Sequence, residues 1–176
     1  MMKIFLFTVC LLIFFSCKQF NENRFVKLVE VPTVYNWKGH VKEYKFDKKK
    51  KKVINYLGKV GSLRNILEHT DRGKIDRIIR ENPDFQFVFY IDRVVPADTV
   101  AFKELMLKYR CAFPVILDFK DEFYKANKNR LIPENDRYSQ IGYICDKDCY
   151  IYEISVIGTR QSFFDEMFRK AKRQMR

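Results

Sequence analysis

The sequence predicts an α/β domain in which a mixed central sheet is layered by helices, and three observations point to it. Near-continuous apolar runs such as Phe85–Ile91 and Phe113–Leu117 read as strands covered on both faces. Between them lie stretches whose apolar residues recur at helical spacing. The chain then closes with two short strands around Asp146-Lys147-Asp148 and a last amphipathic helix. From Val53 the order is β-α-β-α-β-α-β-β-α. Such alternation implies a largely parallel sheet with an antiparallel hairpin added at its end.

Taken in order, Phe25–Val31 and Val41–Phe46 have strand character, the second with apolar and charged residues partly alternating. Val53–Leu57 follows and is closed by Gly58. Ser62 reads as a helix cap ahead of Leu63, Ile66, Leu67, Ile75, Ile78 and Ile79. Gly73 inside that run allows two helices, the second capped by Thr70 or Asp71, and Asn82-Pro83 stops it. Asp98 caps a helix whose Phe102, Leu105, Met106 and Tyr109 fall at i, i+3, i+4 and i+7. Asp121–Asn129 is a short helix and Leu131–Arg137 a loop. Gln140–Cys145 and Tyr150–Val156 form the hairpin. A final helix from Ser162 buries Phe164, Met167, Phe168, Ala171 and Met175. Its basic last turn (Lys170, Lys172, Arg173, Arg176) suits the negative end of the helix dipole.

The N-terminus carries an address. Met1-Met2-Lys3 precedes a mostly apolar stretch, Ile4 to Phe15, then Ser16-Cys17 and polar residues. That stretch is shorter than the roughly 20 residues needed to span a bilayer. A basic start, an apolar core and a small residue at the cut describe an export signal. Phe14-Phe15-Ser16-Cys17 resembles a bacterial lipobox, which implies cleavage before Cys17 and acylation of its sulfur, by palmitate or a similar chain. Residues 1–16 are then the signal peptide, 17–24 a lipidated tether, and 25–176 one domain. Within it, about 25–50 is an N-terminal hairpin region and 51–176 the core. Lys18 after the lipidated Cys resembles the pattern of lipoproteins sent to the outer membrane.

Apolar residues make up 47% of the 176 and aromatics 16%, enough for a real core and too many for a disordered chain. The formal charge of +12 would suggest nucleic acid in a cytosolic protein. In an exported lipoprotein, anionic lipid head groups, polyanionic glycans or acidic envelope proteins are nearer partners, alongside the membrane reached through the anchor. The sharpest basic feature is the surface patch Lys48, Lys49, Lys50, Lys51 and Lys52. It reads as a solvated hairpin tip and strand start, or as a lipid-facing patch worth about 1 kcal/mol per Lys at an anionic surface.

A strand ending in Asp-Lys-Asp, an antiparallel return strand and a terminal amphipathic helix resemble the C-terminal half of the thioredoxin fold. Tyr143-Ile144-Cys145-Asp146-Lys147-Asp148 sits where thioredoxin-like lipoproteins commonly carry Phe-Leu-Ile-Asp-Lys-Asp-Gly, and Trp37-Lys38-Gly39 resembles their N-terminal hairpin. The resemblance implies a three-layer thioredoxin-like sandwich. It also implies a Cys-x-x-Cys where the first core strand meets its helix, because a helix N-terminus stabilises a thiolate. Here that slot reads Ser62-Leu63-Arg64-Asn65: neither Ser62 nor Asn65 can form a disulfide, and a Ser hydroxyl does not ionise at neutral pH. The family's cis-proline slot falls near Gln140, and Pro133 lies too far upstream to fill it. Both halves of the redox site look lost.

Other chemistry is thin. Beyond Cys10 and Cys17 there are Cys111, Cys145 and Cys149. Cys145 and Cys149 lie on either side of a tight turn, close enough that they could face each other, and can be read as a disulfide, as idle thiols, or as a redox pair. Cys149 occupies a position where a turn glycine with positive φ is usual. Cys111 reads as small apolar filler behind a helix. His40 and His69 lack metal-ligand spacing to the cysteines, so no metal or other cofactor is implied. A Ser62–His69–Asp71 triad would leave His69 about 10 Å from Ser62 along the helix. Asp118, Asp121 and Glu122 read better as helix-start acids than as a cation site. The sequence therefore points to a non-enzymatic, membrane-anchored binding or scaffold module. The alternative is a divergent thiol-disulfide or peroxide-handling protein using Cys111, Cys145 or Cys149.

Overall fold

The computed structural model describes residues 24–30, 33–69, 72–92, 94–128, 140–158 and 160–176. The leader, Cys17, Val31, Thr70, Asp71, Pro133 and the 131–137 loop lie outside these residues. In chain order the elements are β1 (Val34–Asn36), β2 (Gly39–His40), β3 (Lys51–Tyr56), α1 (Val60–His69), α2 (Arg72–Glu81), β4 (Phe85–Asp92), α3 (Pro96–Lys108), β5 (Val115–Asp118), α4 (Glu122–Asn127), β6 (Ile141–Cys145), β7 (Ile151–Ile154) and α5 (Gln161–Gln174). They build one sheet in the order β2-β1-β5-β4-β3-β6-β7. β3, β4 and β5 run parallel, while β6, β7 and the β1–β2 hairpin are antiparallel to their neighbours.

Side chains alternate across each strand, so the two faces divide by parity. Val53, Phe87, Phe89, Ile91, Val115, Leu117 and Ile144 meet α1, α2, α3 and α5 on one face. Ile54, Tyr56, Val88, Tyr90, Ile116, Tyr143 and Cys145 lie on the other, under α4 and the N-terminal segments. Each fully buried apolar side chain stabilises by about 1.5–3 kcal/mol, so the helical face alone outweighs any single polar feature. On β6, Gly142 has no room for a Cβ: one would lie 2.1 Å from the Ser155 carbonyl oxygen, so the bend after β7 crosses on bare backbone. Among the described residues no helix is long and apolar enough to cross a membrane.

Several local expectations change. Phe25–Glu30 is not a strand: it makes one bridge, Phe25 to Tyr150, and then crosses the face of the sheet. Val41–Phe46 is not a strand either. Tyr44 and Phe46 do point inward, but no strand ladder forms: the Val41 N–H donates to the Val34 carbonyl, and Gln86 Nε2 donates to the Tyr44 hydroxyl and the Lys45 carbonyl. The hairpin is instead β1–β2, turning through Trp37-Lys38. Ser62 is not a cap, because α1 opens two residues earlier, and Asp98 is the third residue of α3. Its Oδ2 accepts the Val95 N–H at 3.2 Å from inside the helix. Lys52 leaves the basic surface patch. It shares parity with Ile54 and Tyr56, is 1% exposed, and its ammonium donates to the Asp47 and Lys50 carbonyls.

Candidate functional site at the opening of the first helix

The central strand ends where Leu57 still donates to the Tyr90 carbonyl at 2.9 Å. Gly58 then turns the chain in the left-handed region, at φ 65°, and the Lys59 N–H closes back on the Leu57 carbonyl at 2.7 Å. The helix opens at Val60. Ser62, the third residue, is turned into the protein and is 3% exposed, while Asn65 is exposed. The exposed pair at i, i+3 on the opening turn is therefore Gly61 and Arg64, one residue ahead of the predicted slot. The shift follows from the turn, since Gly58 reverses the chain sooner than a Ser62 cap would require.

Gln140 enters β6 opposite this turn and donates to the Ser62 carbonyl at 3.4 Å. Asn65, Ile66, His69, Gln140 and Gly158 line a cavity of about 290 Å³ between α1 and the chain leading into α5. Beneath it, Asn55 is fully buried and its Oδ1 accepts the Ile157 N–H at 3.2 Å, which fixes that chain against the central strand. At Gly61 a Cβ would meet open space and φ is ordinary, so the opening turn has room for a side chain and carries none. Amide and imidazole groups line the cavity, giving it hydrogen-bonding capacity without a thiol. His69 and Gly158 are the lining residues that sequence reasoning did not join to Asn65 and Gln140; only the return of the chain after β7 brings them together.

The thiols lie elsewhere. Cys111 is fully buried behind α3, Cys145 is fully buried at the end of β6, and Cys149 is 8% exposed; all three are free thiols. Cys149 takes φ 67°, the conformation a turn glycine would adopt. Burial raises the pKa of Cys145, with Cys149 and Asp146 adding to it. Burial also raises that of Cys149, against the nearby Lys52, which favours the thiolate. Lys52 is itself lowered by burial, its neighbouring thiols and Asp47 opposing. Asp118 is buried and its Oδ2 accepts the Phe123 N–H at 2.7 Å, so it serves the start of α4. Among the described residues no group of three or more His, Cys, Asp or Glu is arranged to hold a metal ion. His40 packs edge-on against Tyr35.

No protein-family profile matches the chain, and no curated protein matches it in sequence. Solved structures do resemble it. A thioredoxin-like protein in its oxidised form matches with a TM-score of 0.57 at 11% identity, covering 86% of this chain and 97% of that one. An uncharacterised conserved protein from Geobacillus kaustophilus matches at 0.52 with 15% identity, covering 84% and 82%. A Chlorobium tepidum protein described as a DsbE-type thiol:disulfide interchange protein matches at 0.50 with 11% identity, covering 70% and 81%. The chain has the thioredoxin-like fold: a mixed sheet between helices, with an α3–β5 excursion between the second and third core strands.

Proposed function

We propose that this chain is a non-enzymatic binding module of the cell envelope, held to a membrane by lipid on Cys17, in which the cavity beside the second half of α1 seats a partner. One observation carries the reading: the opening turn presents Gly61, Arg64 and Asn65 where redox chemistry needs sulfur, and the downstream thiols are buried away from it. A helix N-terminus lowers a thiol pKa only for a thiol placed on it. The purified chain should fail to reduce insulin disulfides, and removing Cys145 and Cys149 should change nothing. A Gly61→Cys/Arg64→Cys variant, using the vacant space on the same turn, should gain the activity and so show that the assay detects it. Robust turnover by the unaltered chain defeats the reading. The anchor has its own check: palmitate labelling in cells should disappear in Cys17→Ser, and labelling that persists removes the proposed site.

A second reading is favoured by the names of the neighbours. Two of them are thiol-disulfide or thioredoxin-like proteins, which at the level of fold leans toward a divergent redox role through Cys111, Cys145 or Cys149. The local feature in its favour is Lys52, a buried cation beside both Cys145 and Cys149 that stabilises their thiolates. Alkylation of the folded chain at neutral pH separates the two readings. Rapid modification of any of the three thiols supports the redox role, and modification of all three no faster than the protein opens locally or globally supports the binding module.

A further inference from the structure

We propose that the groove between α2 and α5, at the end of the sheet opposite the α1 opening, is a docking site for an acidic peptide segment carrying an apolar side chain. The groove is larger than the first cavity, about 760 Å³, with Ile78 and Phe168 at its apolar base. Its lining carries six Lys or Arg side chains against three carboxylates. One of those carboxylates is already engaged: Lys74 binds Asp165 at 2.9 Å. Among the described residues Arg77, Arg173 and Arg176 make no ion pair, and all three are exposed. Guanidinium groups held without an acid partner are suited to carboxylates, which they bind as a planar fork.

The groove is fixed rather than improvised. The Lys172 ammonium donates to Asn82 Oδ1 at 2.6 Å, and Asn82 Nδ2 donates to the Ile78 carbonyl at 2.7 Å, tying the end of α2 to the end of α5. The charge also continues beyond it. Lys51 lies 5.4 Å over the Phe85 ring, Phe85 meets Phe168 edge-on at 4.9 Å, and the Lys172 ammonium lies 5.5 Å from the centre of the Phe168 ring. Exposed Lys48 and Lys49 therefore extend the same basic end of the molecule. Helix-dipole compensation accounts for a cation or two in a last turn, not for a row drawn from two helices across a cavity. Concavity and an apolar base favour a peptide. A flat lipid surface would touch the rim alone, and a bare polyanion would leave Ile78 and Phe168 unused.

The test uses the purified full chain and a short fluorescent peptide of glutamates flanking a central Phe-Leu pair, read by anisotropy. Saturable binding should weaken steeply as salt rises. Replacing the Phe-Leu pair by Gly-Gly should weaken it about tenfold, the value of one well-buried apolar side chain. Arg173→Glu/Arg176→Glu should weaken it at least as much with the circular dichroism spectrum unchanged, and Gly61→Cys/Arg64→Cys should leave it intact. Equal binding of the two peptides, or binding to phosphatidylglycerol vesicles with none to either peptide, overturns the proposal. Because the α1 cavity is untouched, this outcome is independent of the insulin assay.

Discussion

On one face of the sheet, helices lay Leu63, Phe102, Met106 and Phe164 against Val53, Phe87, Phe89 and Val115, and the packing there is almost wholly apolar. On the other face, one short helix and irregular N-terminal segments lie over Lys52, Gln86, Tyr90 and Cys145. The difference follows from the covers. A helix satisfies its own backbone and asks the sheet only for shape, whereas an irregular segment brings unpaired N–H and C=O groups that must be met from below. Four polar side chains at the second face do this for a stated partner. Lys52 meets the Asp47 and Lys50 carbonyls, and Gln86 meets the Asp47 N–H and Lys45 carbonyl. Tyr90 bonds both backbone groups of Val29, and Asn127 both of Lys27. These polar residues are structural fastenings.

Five changes break or sharpen this contrast. The largest concerns the strand both covers depend on: Gly142→Ala must push β6 off the Ser155 backbone and should cost about 4 kcal/mol or more in urea unfolding, or leave no folded protein. On the helical face, Phe89→Ala should cost about 3–5 kcal/mol through the cavity it leaves. On the other face, Tyr90→Phe keeps the ring and removes only the Val29 fastening, so about 1–3 kcal/mol is expected. Amide exchange at Val29 should quicken with it, while exchange in α1 stays unchanged. Equal exchange effects on both faces would erase the distinction.

The fourth change is in pH. Unfolded thiols ionise near pH 8.5 or so, but burial raises Cys145 and Cys149. Above about pH 8.5 the unfolded chain therefore gives up protons that the folded chain still holds, and stability falls until the folded thiols ionise. Lys52 acts with the opposite sign. Its lowered pKa means that the unfolded chain binds more protons below about 10.5, so its contribution rises with pH across the upper part of that window. Urea midpoints followed from neutral to alkaline pH should decline, and Cys145→Ala/Cys149→Ala should flatten the decline. A slope unchanged by that double substitution would sink the assignment.

The smallest change concerns Arg110, held at φ 46° behind α3. Its N–H meets the Leu107 carbonyl, and the next N–H, from Cys111, meets the Met106 carbonyl; this is the paired closure of a Schellman turn. Arg110→Gly relieves the left-handed strain but adds freedom to the unfolded chain, for a net gain of about 0.5 kcal/mol in urea unfolding.

Much of this was legible in the residues. The 3.6-residue spacing of Leu63, Ile66 and Leu67 and the doubly apolar run at Phe85–Ile91 placed α1 and β4, and the glycine-like turn position of Cys149 was readable from its place after Asp-Lys-Asp. The inward turn of Lys52 was hidden because it closes a run of five lysines. Only its parity with Ile54 and Tyr56 could have separated it from its neighbours. Ser62 misled because a good cap residue outside a helix and a small buried residue inside one look alike in sequence. The arginine groove was missed for another reason: α2 and α5 become neighbours only once the β6–β7 return is made, so no local window contains both walls.

A cover pinned at a few discrete atoms has a consequence for motion. The Tyr90 and Asn127 fastenings can release one by one, so the segment around Val26–Val29 can lift as a flap while the sheet beneath keeps its pairing. Small oxidants diffusing through that opening would reach Cys149, whose carbonyl is itself one of the pins through the Val26 N–H. Exposure of Cys149 to such oxidants then follows how often this segment opens.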